Sequence, residues 1–168
     1  MRFTIKNLLE TDADTFWNKI FFDEAFNQAL CVGHLKFRTF RTLELKREPN
    51  GVVIRRTENS PAAEVPKIIA KVLGDTVSYV EEGRFDPTSK RWSFSAIPAV
   101  ASNKIRSVGE IWVETRGEKR IERFVEVDIQ VKIFGIGSMV EQLIEKQSRE
   151  LYDQAGHFTN QWIREKGL

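Results

Sequence analysis

The sequence predicts an α+β protein in which one antiparallel sheet of about seven strands is followed by a single long C-terminal helix. From His34 to Phe134 the apolar residues recur mainly at every second position, and the turn-forming stretches EPNG, FDPTSK and TRGEK interrupt them. In VKIFGIGSMVEQ, residues 131–142, the period of two ends and a period of three to four begins at Ser138. Because the connections between strands are short, we expect neighbouring strands to pair.

The N-terminal segment predicts one strand followed by two short helices. Phe3 and Ile5 alternate with polar residues, as in a half-buried strand. Thr11 is placed to cap a first helix, and Asp23 is placed to cap a second. Gly33 can end the second helix in a left-handed conformation.

The middle of the chain predicts a hairpin and one inserted helix. Phe37, Thr39, Arg41, Leu43 and Leu45 are predicted to share one strand face, and Val52, Ile54 and Arg56 one face of the next strand. In SPAAEVPKIIAKVLGD, residues 60–75, the apolar residues follow a helical spacing instead. Pro66 suits a first helical position and Gly74 suits a stop, so a small helix is expected between strands.

The last strand and the C-terminal helix are the most regular elements. Val125, Val127 and Ile129 fall on one face of the strand, which predicts one dry face and one wet face. Ser138 and Glu141 have the spacing of a capping box at the start of the helix. One apolar stripe is predicted along the helix, made of Val140, Ile144, Gln147, Leu151, Ala155, Phe158 and Trp162.

Composition favours a single cytoplasmic domain spanning residues 1–168. The chain is 41% hydrophobic, with 26 basic against 24 acidic side chains and no long run of either sign. A nucleic-acid groove would need a basic patch, so no nucleic-acid partner is expected. Cys31 is the only cysteine, which excludes an internal disulfide. The N-terminus lacks the apolar run of a signal peptide, and no segment is apolar enough to span a membrane.

The sequence predicts no metal site and no cofactor. His34 and His157 lie far apart in the chain, and the stretch TDADT lacks the glycine and terminal glutamate of a calcium loop. GIGSMV begins like a dinucleotide fingerprint, but the third glycine is missing and no strand follows. No serine lies in a nucleophile elbow, and a catalytic Cys31 would need a histidine brought to it by the fold.

The order of elements resembles the START-like (SRPBCC) superfamily. This superfamily includes birch-pollen-allergen-like proteins, polyketide cyclases and START lipid-transfer domains. The chain looks most like its bacterial domain of unknown function DUF2505. The similarity spans nearly the whole chain and is carried by VPKIIAKVLGD and by VEVDIQVKIFGIGSMVEQLIEKQSRELYDQAGHFTNQWI.

The resemblance implies a helix-grip fold, in which a curved sheet wraps around the long helix and leaves a cavity at its concave face. It implies binding or transport of a hydrophobic, lipid-like small molecule, with transient membrane contact compatible with that role. A polyketide cyclase or dehydratase is the enzymatic alternative, although a binding protein is favoured. A third alternative is a protein-interaction module whose core is filled, because helices pack on sheets in many proteins without leaving a cavity.

Polar residues within apolar patterns are the first candidates for a ligand site. Gln147 interrupts the helix stripe, so its amide bonds either to backbone or water, or to a ligand's polar end. Arg41, Arg56 and Arg123 share strand faces with apolar residues and could anchor an anionic head group or reach solvent. Glu81 could pair with one of them, and Arg41, Glu81 and Gln147 are the candidates for acid–base chemistry.

Large apolar residues complete the candidate site. Those expected near a pocket are Trp92, Phe94, Trp112, Leu151, Phe158 and Trp162. Ordinary core packing is the alternative for each of them. Trp112 also shares its phase with Glu110 and Glu114, which favours an outward orientation.

Overall fold

Seven strands form one curved antiparallel sheet in the computed structural model, which describes all residues, Met1–Leu168. The strands are β1 (Arg2–Leu9), β2 (Thr39–Arg47), β3 (Val53–Ser60), β4 (Tyr79–Asp86), β5 (Arg91–Pro98), β6 (Ile105–Gly117) and β7 (Arg120–Val131). Their order in the sheet is β1-β7-β6-β5-β4-β3-β2. The predicted meander is therefore confirmed, with β1 returning to pair with β7.

Four α-helices accompany the sheet, and two of them continue as π-helical turns. The α-helices are α1 (Ala13–Thr15), α2 (Glu24–Gln28), α3 (Lys67–Leu73) and α4 (Gly137–Lys166). The π-helical turns are Phe16–Phe21 after α1 and Ala29–His34 after α2. The helix-grip fold expected from the resemblance is thus present, with two short helical segments, an inserted helix and a long C-terminal helix.

The predicted helix boundaries are correct in part. Asp23 caps α2 by accepting a hydrogen bond from the Phe26 amide at 2.7 Å, as expected. Asp12, and not Thr11, caps α1, because its carboxylate accepts hydrogen bonds from both the amide and the hydroxyl of Thr15. Gly33 does not provide the stop; the left-handed residue after the second helical segment is Lys36.

Strand β7 supplies the centre of the core. Ile121, Val125 and Ile129 have no exposed surface, and Val127 is also buried. These residues face the inside of the sheet, as the alternation predicted. The outer face of β7 carries Phe124 among charged residues.

The hairpin of β2 and β3 departs from the predicted phase. The pairing register shifts between Thr42 and Glu44, so the residues before and after this irregularity do not share one face. Arg41 lies outside and forms an ion pair with Glu58 at 2.7 Å. Of the two arginines on β3, Arg55 is buried and Arg56 lies on the outer face of the sheet.

The connection from β7 to α4 is a tight turn. Gly135 has a φ of 80°, a conformation that glycine adopts without strain. The predicted capping box is wrong, because no side chain caps α4. The carboxylate of Glu141 instead accepts a hydrogen bond from the amide of Val131 at 2.9 Å, which ties the first turn of α4 to the end of β7.

Helix α4 spans the concave face of the sheet. Its 30 residues correspond to a length of about 45 Å. Its second half packs closely, with Ala155, Gly156, Thr159 and Ile163 buried. The side of α4 that carries Asn160 lies along the edge strand β1, where the Asn160 amide donates to the carbonyl of Leu8 at 3.0 Å.

Candidate ligand-binding cavity

A cavity of about 220 Å³ lies between the first half of α4, helix α3 and the inner face of β4 to β7. Helix α3 contributes Ile69 and, at its end, Leu73 to the lining, and α4 contributes Val140 and Ile144. These side chains make one end of the cavity apolar. In the first half of α4 only Val140 is buried, whereas four residues of the second half are buried.

Glu81 is the acidic residue of the cavity wall. It lies on the inner face of β4, where its register partners are Thr57 on β3 and Ala96 on β5. Burial raises the pKa of the Glu81 carboxyl, and the nearby Arg55 and Trp92 only partly oppose that effect. The Nη2 atom of Arg55 is 3.7 Å from Oε1 of Glu81, which is an ion pair and not a close hydrogen bond. The carboxyl can therefore bond to a ligand.

Arg55 lies next to Glu81, behind the cavity wall. Its Nη1 donates to the carbonyl of Phe21 at 2.8 Å, and its guanidinium lies over the rings of Phe21, Phe22 and Trp92 at 4.7, 5.3 and 5.1 Å. Burial lowers the pKa of Arg55, and Glu81 acts in the opposite direction. Stacking on aromatic faces stabilises a buried guanidinium that has one distant carboxylate partner.

Two tyrosines complete the polar part of the cavity. Tyr79 on β4 and Tyr152 on α4 both line it. Burial, together with the negative charge of Glu81, raises the pKa of both phenols. Both are therefore neutral hydroxyls that can donate or accept a hydrogen bond. An acid and two phenols facing an otherwise apolar space suit a small molecule that has one polar end.

Gln147 lines the cavity and also bonds to backbone. Its Nε2 donates to the carbonyl of Glu64 at 3.0 Å, in the segment that leads into α3. Of the two roles predicted for this amide, the bond to backbone is the one formed. It connects α4 to the segment that covers the cavity.

Arg123 is buried between the sheet and α4 but does not line the cavity. Its Nη2 donates to Oδ1 of Asn7 at 2.6 Å and to the carbonyl of Tyr152 at 3.3 Å. Burial lowers its pKa to about 10. It forms no ion pair with a carboxylate, so its role is to join β1, β7 and α4.

Phe94 and Leu151 are the predicted apolar site residues that line the cavity. Trp92 is fully buried beneath it, against Phe21 and Phe22. Its indole N–H has no hydrogen-bond partner of good geometry, although it lies close enough to Glu81 to lower the carboxyl pKa.

Three predictions of cavity residues are wrong because the side chains lie elsewhere. Trp112 is on the outer face of the sheet, stacked on Phe124 with ring centroids 5.1 Å apart. Arg41 and Arg56 are also outside, and Arg56 bonds to Glu82 at 2.8 Å. An outward residue cannot reach a ligand on the concave face.

Phe158 and Trp162 pack at the other end of α4. Their rings lie 6.1 and 5.7 Å from that of Phe26, and Phe158 also stacks near His34. They fill the space between α4 and the second short helical segment. The apolar stripe was therefore predicted correctly, but only its first half lines the cavity.

The sequence reasoning missed Arg55, Tyr79 and Tyr152. Tyr79 could have been found, because it is in phase with Glu81 on β4. Tyr152 follows Leu151 on α4, so a wider helix face would have included it. Arg55 shares its face with Thr57 and Asn59, and hydrophobicity alone therefore favoured the opposite, outward phase.

No group of three or more His, Cys, Asp or Glu side chains lies close enough to hold a metal ion. Cys31 is buried, and burial raises the pKa of its thiol to about 12. His157 is exposed, 3.8 Å from Asp153. No helix combines the length and hydropathy that a membrane-spanning segment needs.

Comparison with solved structures identifies the fold. The chain is similar to the aromatase/cyclase Zhui from a Streptomyces species, at 13% identity and a TM-score of 0.63, over 94% of this chain and 92% of that one. It is similar to a START superfamily protein from Mycobacterium smegmatis, at 13% identity and a TM-score of 0.63, over 96% and 98%. Norcoclaurine synthase from Thalictrum flavum, bound to a transition-state analogue, matches at 15% identity and a TM-score of 0.67, over 100% and 96%.

Such low identities establish a shared fold and nothing finer. A search of curated protein sequences finds no match. The family model described as "Protein of unknown function (DUF2505)" matches residues 9–163, from the end of β1 to the last turns of α4. The chain therefore belongs to the DUF2505 family.

Proposed function

We propose that this protein binds a small hydrophobic molecule that carries one hydrogen-bonding group, in the cavity beneath α4. The observation that carries the proposal is the carboxyl of Glu81, which faces an otherwise largely apolar cavity without a close hydrogen-bond partner. An apolar wall supplies affinity through burial of surface, at about 25 cal/mol per Å². A few convergent polar groups then orient the ligand.

The size of the cavity restricts the ligand. Ligand pockets usually measure about 300 to 1,000 Å³, whereas a cavity of about 150 Å³ accepts benzene. At about 220 Å³, the cavity suits a molecule with one or two fused rings or a short chain. A full-length lipid would require α3 to move, which would separate Ile69 from Ile136 and Val140. The lipid-like ligand expected from the resemblance is therefore less well supported than a smaller one.

Calorimetric titration with β-naphthol and its methyl ether tests the proposal. Only the naphthol can donate a hydrogen bond to Glu81. We expect Glu81→Gln to weaken naphthol binding roughly fivefold, because hydrogen bonds to charged groups are stronger by about 1 kcal/mol, and to leave the ether unaffected. Glu82→Gln is the matched control, since Glu82 is the next residue and lies on the outer face.

A second pair of variants tests whether binding occurs inside the cavity. Ala96→Leu adds three carbons to the cavity wall, whereas Ser95→Leu adds a larger side chain to the opposite face of the same strand. Binding should be lost in the first variant and retained in the second. Equal binding by both variants, or no binding of either compound by the wild-type protein, would contradict the proposal.

A second candidate function is a cyclase or dehydratase. The observation that favours it is the Glu81 carboxyl in the cavity wall near Tyr79, because burial raises the pKa of this carboxyl, which is the direction that a general acid needs. We expect turnover of a short poly-β-ketone thioester by the wild type and by Glu82→Gln but not by Glu81→Gln. Turnover that survives Glu81→Gln would contradict this role.

A protein-interaction module with a filled core is the least supported alternative. It requires the space between α4 and the sheet to be packed throughout, as it is around Phe158 and Trp162. The cavity under the first half of α4 is difficult to reconcile with that requirement.

A further inference from the structure

One end of the molecule, beside the cavity, exposes apolar side chains to solvent. Phe134 is fully exposed at the turn between β7 and α4, and Ile68 and Val72 are each about half exposed on the solvent side of α3. Val100, in the β5–β6 connection, is equally exposed and also lines the cavity. Met139 in the first turn of α4 is exposed as well. We call these five residues, with the lysines named next, the mouth surface.

Contacts within the fold bring these elements to the same end. Helix α3 packs through Ile69 against Ile136 and Val140, which flank the turn that carries Phe134. The backbone amide of Lys132 donates to the carbonyl of Lys104 at 2.8 Å, which joins that turn to the β5–β6 connection. The apolar side chains therefore border one continuous region around the cavity.

Four lysines accompany the apolar residues. Lys67 and Lys71 alternate with Ile68 and Val72 along the solvent side of α3. Lys132 lies near Phe134 and Lys104 lies near Val100, and a backbone hydrogen bond joins these two lysines. All four lysines are exposed. None of the four forms an ion pair.

The acidic residues of this end are fewer. Glu64 and Asp75, on either side of α3, are exposed and unpaired, and Glu141 is held by the amide of Val131. Lysines thus outnumber free carboxylates at the mouth surface. On the outer face of the sheet, in contrast, Arg41, Arg56 and Arg91 are each paired with a glutamate.

We infer that the mouth surface docks onto an anionic lipid membrane. Single apolar side chains flanked by lysines suit the boundary between head groups and acyl chains, where the apolar groups insert and the ammonium groups stay at the phosphates. Protein interfaces are enriched in aromatic residues, Met and Arg but depleted in lysine, so Phe134 and Met139 would suit a protein partner whereas the four unpaired lysines favour an anionic membrane. Phe134 belongs to a group of exposed apolar side chains, and such groups mark sites that bind a protein or a membrane.

The docking surface does not depend on which ligand the cavity holds. It would place the apolar side of the cavity against the bilayer, where apolar molecules are most concentrated. Helix α3 would lie between the cavity and the membrane, with Ile69 facing inward and Ile68 facing outward.

Vesicle flotation tests the inference. The probes are vesicles of phosphatidylcholine alone and vesicles of phosphatidylcholine and phosphatidylglycerol in equal amounts. We expect the wild type to bind the mixed vesicles and to be released by salt. Lys67→Gln combined with Lys71→Gln should lower the partition coefficient roughly 25-fold, because each lysine near an anionic surface contributes about fivefold.

Phe134→Ser tests the apolar contribution separately. It should lower the partition coefficient by about tenfold or more, since a buried Phe side chain is lost from the lipid phase. Its fold should be intact, because Phe134 is fully exposed. The control is Lys19→Gln combined with Lys119→Gln, which removes two exposed lysines outside the mouth surface and should leave vesicle binding unchanged.

Three results would overturn the inference. These are no binding to the mixed vesicles, equal losses in the control and the mouth-surface variants, or a dimer in solution that Phe134→Ser dissociates while no vesicle binds. Naphthol binding by Phe134→Ser is measured in parallel. If it is retained while vesicle binding is lost, the surface and the cavity are separate functions, and failure of one does not imply failure of the other.

Discussion

Replacement of Gly83 by Ala should destabilise the protein through a single contact with Trp92. A Cβ at position 83 would lie within 2.6 Å of three carbons of the indole ring. Real carbon contacts are about 3.5 to 4.0 Å, so either the ring or β4 must move. Trp92 has no exposed surface and lies beneath Arg55, which leaves the ring no open direction.

The magnitude follows from the cost of overpacking, which is about 1 to 3 kcal/mol in a well-packed core. Trp92→Phe alone should cost a similar amount, because it removes buried atoms. In the double variant the clashing six-membered part of the indole is gone. We therefore expect the loss to be smaller than the sum of the single losses by at least about 1 kcal/mol.

Urea unfolding followed by far-ultraviolet circular dichroism measures these values. A loss of about 2 kcal/mol moves the midpoint by about 1 M urea at the slope expected for a small protein. Gly33→Ala is the matched control and should be nearly neutral, because the added Cβ would have only the carbonyl of Gln28 within 4.0 Å. Additive losses in the double variant, or an equal loss for Gly33→Ala, would refute the reasoning.

Three further predictions concern the cavity and its surroundings. Burial raises the pKa of Glu81 above its ordinary value of 4.5. The free energy of unfolding of the wild type, relative to that of Glu81→Gln, should therefore be highest below pH 4.5 and should fall as the pH rises through the folded-state pKa. Urea titrations of both proteins at several pH values check the sign of this change. Cys31, with its pKa at about 12, should react with a disulfide reagent in mildly alkaline buffer only as fast as the protein opens, so a rate equal to that of the unfolded chain would contradict its burial. Gln147→Ala removes the bond to the Glu64 carbonyl and should cost about 1 kcal/mol, with faster hydrogen exchange in α3 and unchanged exchange in β7.

The sequence alone determined the order of the elements and the two most regular surfaces. The alternation of Val125, Val127 and Ile129 predicted which face of β7 is buried, because a strand has only two faces and one carries nothing but apolar side chains. The stripe from Val140 to Trp162 was predicted for a similar reason. Hydrophobic periodicity is a local property, so local elements with one dominant pattern are readable from the chain.

Tertiary structure decided which polar groups are inside. Arg55 is buried and Arg56 is not, because aromatic rings from the π-helical turn Phe16–Phe21 and from β5 cover the guanidinium, and these rings are distant in sequence. The register shift between Thr42 and Glu44 likewise separates Arg41 from the apolar residues that follow it. The cavity itself is enclosed by α4, α3 and the inner faces of β4 to β7, which are distant in sequence. No local pattern contains that arrangement, because it arises only when all the elements meet.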